Sequence, residues 1–180
     1  MLRSPWTTAG LAALLLASCA RSGDESGYAP SYPGAKRVDV SRVQFEDGDT
    51  FAYRGEVIRI LGIDTPETKS EGVGIPYDQP FGPEASESTR VWITRARVVE
   101  IVRDGPDTYG RRLAHVFVDG ELLAERLLAH ALAYETVSAF GDNGFPDLAD
   151  RILKTAAQSP KPPFQEPYKW RRKNQKRDAR

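Results

Sequence analysis

Residues 56 to 63 read Glu-Val-Ile-Arg-Ile-Leu-Gly-Ile, an apolar run that a single arginine interrupts. A strand with apolar side chains on both of its faces is typical of a sheet that is covered on both sides. We therefore predict a central or barrel strand over this stretch. Shorter runs with strand-like alternation predict four more strands, over residues 38–45 (with one register slip), 50–53, 98–102 and 113–118.

Three other segments carry apolar residues at helical spacing. The first covers residues 83–97, where Pro83 suits the first helical turn and Glu84 complements the positive end of the helix. The other two cover residues 121–132 and 146–157. Five short strands with about three helices predict a β-rich α+β domain, with a five-stranded barrel as the expected arrangement.

The length and composition limit what the chain can be. It has 180 residues and 40% hydrophobic content, which suits one globular domain with appendages. Basic and acidic residues number 25 each, so the overall charge does not indicate a nucleic-acid-binding protein. The net charge is unevenly distributed along the chain. Residues 167–180 hold seven Lys or Arg and one Asp, and the rest of the chain has a net negative charge.

The metal-binding residue types are few. One cysteine excludes an intramolecular disulfide and a Cys-rich zinc site, and two histidines leave little material for a His-based site. Any metal would therefore take oxygen ligands.

The first 18 residues are typical of a signal peptide. Arg3 precedes an apolar run over residues 9–17, which is shorter than the roughly 20 residues that cross a bilayer. Cys19 follows the tripeptide Leu-Ala-Ser, which resembles a bacterial lipobox, and an acylated cysteine anchors a protein without a spanning helix. We expect an exported, membrane-anchored lipoprotein that faces the periplasm or the cell exterior. The alternative is an ordinary signal peptide cleaved near Ala20.

Two further segments flank the predicted domain. Residues 19–36 are rich in Ser, Gly and Pro and predict a flexible tether. Residues 159–180 are first Pro-rich and then basic. This tail has three interpretations: it binds nucleic acid through its charge, it lies on anionic lipid with Trp170 at the interface, or it is a solvated, disordered end.

Polar residues that could take part in catalysis or metal binding occur in three short segments, over residues 47–50 (DGDT), 59–67 (RILGIDTPE) and 107–111 (DTYGR). Arg59 interrupts the apolar strand, and a buried arginine needs a carboxylate partner or an anionic ligand. A structural salt bridge to a nearby aspartate would also satisfy it.

Asp49 and Asp64 lie at the ends of predicted strands. Two carboxylates brought together repel each other unless a cation or an arginine lies between them, and a hard ion such as Ca²⁺ suits such a pair. The alternative is turn chemistry, because both Asp-Gly-Asp and Asp-Thr-Pro are good turn sequences.

Glu67 and Arg111 each follow a residue that shapes the backbone, Pro66 and Gly110. A loop glutamate can simply be solvated. With two arginines to bind phosphate oxygens, a cation site and a glutamate to activate water, however, the three segments hold the groups that phosphoryl chemistry needs. Arg112 faces the opposite side of its strand from Arg111 and is expected to meet solvent.

The succession DGDT, RILGIDTPETK, FGPEAS and DTYGR resembles the staphylococcal nuclease (thermonuclease) family in order and approximate spacing. The resemblance covers about residues 38–133 and implies a five-stranded OB-like barrel, which we place at residues 37–158. It also implies a Ca²⁺-dependent phosphodiesterase that acts on DNA and RNA and releases 3′-phosphate ends. The positions that the resemblance assigns are Asp49, Asp64 and the Thr65 carbonyl for calcium, Arg59, Glu67 and Arg111 for catalysis, and Tyr109 for substrate binding.

Some positions depart from the family pattern. Thr108 stands where the prototype has a lysine, Val137 lies near the position of a substrate-contacting tyrosine, and the loop over residues 68–81 is longer and less basic. We expect these changes to alter the affinity for substrate more than the chemistry of the reaction centre. We expect a lipid-anchored nuclease with DNA or RNA as its substrate and no obligate protein partner. The alternatives are a non-catalytic nucleic-acid-binding OB module and a structural lipoprotein.

Overall fold

The computed structural model describes residues 29–175 of the chain. The predicted signal peptide and Cys19 lie outside the described residues. Between residues 29 and 175, no helix combines the length and the apolar character needed to cross a membrane.

The described residues form short strands and helices that alternate along the chain. The strands are β1 (Lys36–Arg37), β2 (Val43–Phe45), β3 (Thr50–Tyr53), β4 (Glu56–Ile60), β5 (Ile63–Asp64), β6 (Val99–Pro106), β7 (Arg112–Val118), β8 (Glu121–Leu122) and β9 (Tyr134–Glu135). The α-helices are α1 (Gly82–Arg95), α2 (Leu123–Ala129), α3 (Val137–Phe140), α4 (Pro146–Gln158) and α5 (Pro167–Asn174).

The main sheet is curled into a half-barrel with the strand order β1-β6-β7-β4-β3-β2, and β8 adds to β7. Its neighbours are antiparallel except for β4 and β7, which run parallel. Strands β5 and β9 form a separate antiparallel pair. The predicted β-rich α+β class with an OB-like sheet is confirmed.

The predicted central strand is interrupted. Strand β4 ends at Ile60 and β5 begins at Ile63, because Gly62 has a left-handed backbone with φ of 81°. A Cβ at Gly62 would also lie 2.5 Å from the Ile152 Cδ1 atom on α4, so a larger residue would strain the backbone and displace the Ile152 side chain. The break turns the chain so that Asp64 contacts Arg59 five residues earlier, which a continuous strand would not allow.

Other boundaries also differ from the predictions. The expected strand over residues 38–45 forms only at its end, as β2. Strand β1 precedes this stretch and pairs with β6, and a 3₁₀ turn at Val40–Arg42 separates β1 from β2. The expected helix over residues 121–132 begins as β8 and ends at Ala129. Helices α3 and α5 were not anticipated, since periodicity in one segment does not report which distant surface that segment packs on.

The core lies between the curled sheet and helices α2 and α4. Phe51 and Ile58 from the sheet, Leu127 from α2 and Leu148 from α4 are fully buried. His115 on β7 is also buried, and burial lowers its pKa to about 4, so it is a neutral core residue at physiological pH. Consecutive residues of β6 and β7 are buried, so both faces of these strands are covered. The polar groups of the candidate site lie at or beside the ends of β3, β4 and β5.

Candidate active site

Arg59 on β4 joins two carboxylates. Its Nη1 atom contacts Asp49 Oδ1, and its Nη2 atom donates to Asp64 Oδ1 at 2.7 Å. The side chains of Asp49 and Asp64 are only 3% and 8% exposed. The guanidinium therefore neutralises two buried acids that would otherwise repel each other.

Backbone pairing brings Asp49 to this position. Thr50 on β3 lies opposite Arg59 on β4, and the Ile60 N–H donates to the Asp49 carbonyl at 2.8 Å. The Thr65 N–H donates to Asp49 Oδ2 at 2.7 Å. These contacts lock the turn before β3 to the loop after β5, so that Asp49, Asp64 and Thr65 form one buried group.

This group fits a hard divalent cation in its donor chemistry. Two carboxylates that share one guanidinium already lie close enough to be bridged by a positive charge. Within residues 29–175, no set of three or more His, Cys, Asp or Glu side chains is arranged to hold a metal ion. The family resemblance implies that a cation here would be held by Asp49, Asp64 and the Thr65 carbonyl with water, an all-oxygen set of the kind that Ca²⁺ takes.

Glu67 is fixed through its backbone. Its carbonyl accepts the Gln79 N–H at 2.9 Å, and a Cβ at Gly82 would lie 2.1 Å from the same carbonyl oxygen. The first residue of α1 must therefore be glycine for the helix to pack against this loop. The Glu67 side chain is 13% exposed, and burial raises its pKa even though the charge of Arg171 opposes the shift.

Arg171 on α5 is a site residue that the sequence did not reveal. It donates to both oxygens of Asp64, at 3.1 and 2.9 Å, and it also pairs with Glu67 Oε1. Asp64 and Glu67 are thereby brought together by one guanidinium. Arg171 follows the buried Trp170 in the segment that we assigned to the basic tail, and that neighbour is the only signal in the sequence.

Arg111 and Tyr109 lie beside this group in the loop between β6 and β7. Asp107 accepts from Arg111 Nε at 2.8 Å and pairs with Nη2 at 2.7 Å. The Arg111 guanidinium also lies 5.5 Å from the ring centre of Tyr109, whose side chain is exposed. Arg111 and Tyr109 therefore lie at a solvent-accessible edge of the candidate site, where Asp107, and not the buried acids, binds the guanidinium.

The strand register places Arg111 on the same sheet face as Arg59. Leu113 lies opposite Arg59 in the parallel pair, and Arg111 precedes Leu113 by two residues. Burial raises the pKa of Asp47, and the positive charges of Arg59 and Arg111 oppose that shift. Both arginines are therefore close enough to the turn before β3 to stabilise the negative charge of Asp47. Arg112 faces the other way and pairs with Glu56 at 3.5 Å.

The structure thus brings Asp49, Arg59, Asp64, Thr65 and Glu67 into one centre and places Arg111 and Tyr109 at its edge. Val137, which lies near a substrate-contacting position of the family, is buried and is not available for stacking on a base. Among the described residues, the predicted tail is not a solvated end, because Trp170 is buried and α5 packs beside Glu67.

The fold and the centre together define a small OB-like α+β domain that carries a carboxylate–arginine site on its curled sheet. Residues 57–158 match the family described as "Staphylococcal nuclease homologue". The chain belongs to the staphylococcal nuclease family.

Several similar proteins, among them the following three, carry names that describe nucleases. The chain is 40% identical over 102 residues to the SPbeta prophage-derived endonuclease YokF of Bacillus subtilis. The matched region covers 53% of this chain and 33% of that protein. It is 38% identical over 104 residues to endonuclease YncB of the same organism, with 54% and 48% covered. It is 37% identical over 92 residues to the thermonuclease of Staphylococcus intermedius, with 48% and 53% covered. The matches thus span about half or less of each relative's length.

Proposed function

We propose that this protein is a calcium-dependent nuclease that hydrolyses phosphodiester bonds in DNA, RNA or both and leaves 3′-phosphate ends. The observation that carries the proposal is the buried centre in which Arg59 joins Asp49 and Asp64. Membership of the staphylococcal nuclease family and the names of the relatives support it.

Each residue has a role that its geometry suits. Arg59 and Arg111 lie on the same sheet face and would donate to phosphate oxygens, which stabilises the extra negative charge of the transition state. Glu67, buried and fixed by its backbone, orients the attacking water. Asp49, Asp64 and the Thr65 carbonyl would hold Ca²⁺, which would act as a Lewis acid on the phosphate when bound.

The test is digestion of single-stranded DNA, duplex DNA and RNA by the purified full-length chain, with Ca²⁺ or with EGTA. We expect cleavage with Ca²⁺ only, and fragments that a DNA polymerase extends only after 3′-phosphatase treatment. An Arg59→Ala variant purified in the same way controls for contaminating nucleases. Equal cleavage by that variant, or none by the wild type, would contradict the proposal. Calcium-independent binding without cleavage would favour a non-catalytic OB module.

We also propose that the protein is exported and lipid-anchored, with its domain facing the periplasm or the cell exterior. This rests on the apolar run before Cys19 and on the position of the only cysteine in the chain. Palmitate supplied to the expressing bacterium should label the wild type and a Ser22→Ala control, and Cys19→Ala should remove the label. An unlabelled wild type would exclude the anchor.

A further inference from the structure

Helix α5 places one side chain, Arg171, between two acids of the candidate site. Both oxygens of Asp64 and one oxygen of Glu67 accept from its guanidinium. The side chains of Asp64 and Glu67 are 8% and 13% exposed, and that of Arg171 is 29% exposed. The acids that our proposed function assigns to the cation and to the attacking water are therefore already neutralised by the protein itself.

The position of Arg171 is determined by the packing of α5. Trp170 is buried and meets the Tyr77 ring edge-on, with the ring centres 5.5 Å apart. The Tyr77 hydroxyl donates to Asn174 Oδ1 at 2.6 Å, and Gln175 Nε2 donates to the Val73 carbonyl at 2.7 Å. The helix is thus attached at its middle and at its end to the long loop that departs from the family pattern.

A buried glutamine links the same segment to the backbone of Glu67. Gln79 is 1% exposed, its Oε1 atom accepts the Glu67 N–H at 3.2 Å, and its Nε2 atom donates to the Gln165 carbonyl at 2.5 Å. Glu67 and the start of α5 are therefore joined by a path that does not involve Arg171. Two independent connections hold α5 against the acids.

A divalent cation and this guanidinium need the same oxygens. Asp64 already receives Arg59 and Arg171, so a cation on Asp64 must either displace a guanidinium or lie beside it. Each case costs binding free energy, since like charges a few ångströms apart repel strongly in a partly buried site.

We propose that Arg171 is an internal counter-ion that competes with the divalent cation for Asp64 and Glu67, and that α5 thereby raises the Ca²⁺ concentration at which the site fills. This inference rests on the proposed function for the identity of the cation site. It assigns to the C-terminal helix a role in setting cation affinity.

The experiment titrates Ca²⁺ into the full-length chain by calorimetry in the absence of nucleic acid. Arg171→Met removes the charge and keeps most of the side-chain stem, and we expect it to bind Ca²⁺ about tenfold or more tightly than the wild type. Arg171→Lys keeps the charge but loses the planar fork, so its affinity should fall between the two. Arg172→Met is the matched control, because Arg172 is exposed over Tyr168 on the same helix and should leave the affinity within about twofold of the wild type.

A second variant tests the idea without touching the acids. Tyr77→Phe removes only the hydroxyl that binds Asn174, which should loosen α5 and tighten Ca²⁺ binding by about two- to fivefold. Thermal melting with EGTA shows whether each variant is folded, and folded Arg171→Met should gain more melting temperature from Ca²⁺ than the wild type does.

Unchanged or weaker Ca²⁺ binding by folded Arg171→Met would overturn the competition, as would no binding by either protein. If Arg171→Met does not fold, Tyr77→Phe decides, and affinity equal to the wild type counts against the inference. Because binding is measured without nucleic acid, a failure of the proposed nuclease activity would be seen separately, as absent cleavage despite Ca²⁺ binding.

Discussion

Replacement of Arg111 by alanine is expected to lower the rate of calcium-dependent cleavage by about 10²–10³-fold or more, the usual loss when a donor to the transition state is removed. Arg111 shares a sheet face with Arg59 and lies at the accessible edge of the site. The Asp107 carboxylate accepts from Nε and pairs with Nη2 of Arg111, and no acceptor within residues 29–175 binds Nη1. That nitrogen is therefore free to bind a phosphate oxygen.

The measurement is the single-turnover rate on a labelled oligonucleotide at saturating Ca²⁺ and enzyme. Arg112→Ala is the control, because the neighbouring arginine faces the other side of the sheet and pairs with Glu56. It should retain the wild-type rate within about threefold, since such half-exposed ion pairs contribute little. A near-normal rate for Arg111→Ala would mean that phosphate binding belongs to another residue.

Replacement of Glu67 by alanine should likewise slow cleavage by about 10²–10³-fold or more, because a positioned carboxylate that acts on the attacking water contributes this much. Burial raises the pKa of Glu67, and its backbone is fixed by Gln79 and Gly82. The removal of the side chain therefore takes away a preorganised group and not a mobile one.

Glu71→Gln provides the comparison in the same loop, since Glu71 is exposed and pairs only loosely with Lys69 at 3.6 Å. The rates are compared at saturating Ca²⁺, because Glu67→Ala also removes a partner of Arg171 and can change cation affinity. Wild-type cleavage by Glu67→Ala under these conditions would show that water activation does not depend on this residue.

The sequence was informative where chemistry is local. Alternating and helical patterns predicted the strands over residues 50–53, 98–102 and 113–118 and three helices close to where they lie, and the α+β class is confirmed. The segments around Asp49, Arg59 and Asp64 could be singled out because their order and approximate spacing resemble the staphylococcal nuclease family, whereas their spacing alone also fitted ordinary turns. The break at Gly62 was missed, since an apolar run does not show where φ turns positive.

Long-range packing was beyond these patterns. Arg171 meets Glu67 across 104 positions and Asp64 across 107, and no periodicity within α5 indicates either contact. Gln79, which accepts from the Glu67 N–H, similarly donates to Gln165 across 86 positions. The composition of the basic segment after three prolines predicts a tail, and only the burial of Trp170 in the structure shows that the segment packs on the domain.

The sequence by itself determined the β-rich α+β class and the family resemblance, because both follow from residue type and short-range spacing, and the resemblance in turn pointed to Asp49, Arg59, Asp64, Glu67 and Arg111. Only the tertiary structure decided which charges neutralise which. The free energy of an ion pair depends on distance and burial, and these were set by the packing of Trp170 on Tyr77 and by the turn at Gly62. A segment that composition describes as a basic tail is, in the fold, a helix that delivers a guanidinium to Asp64 and Glu67.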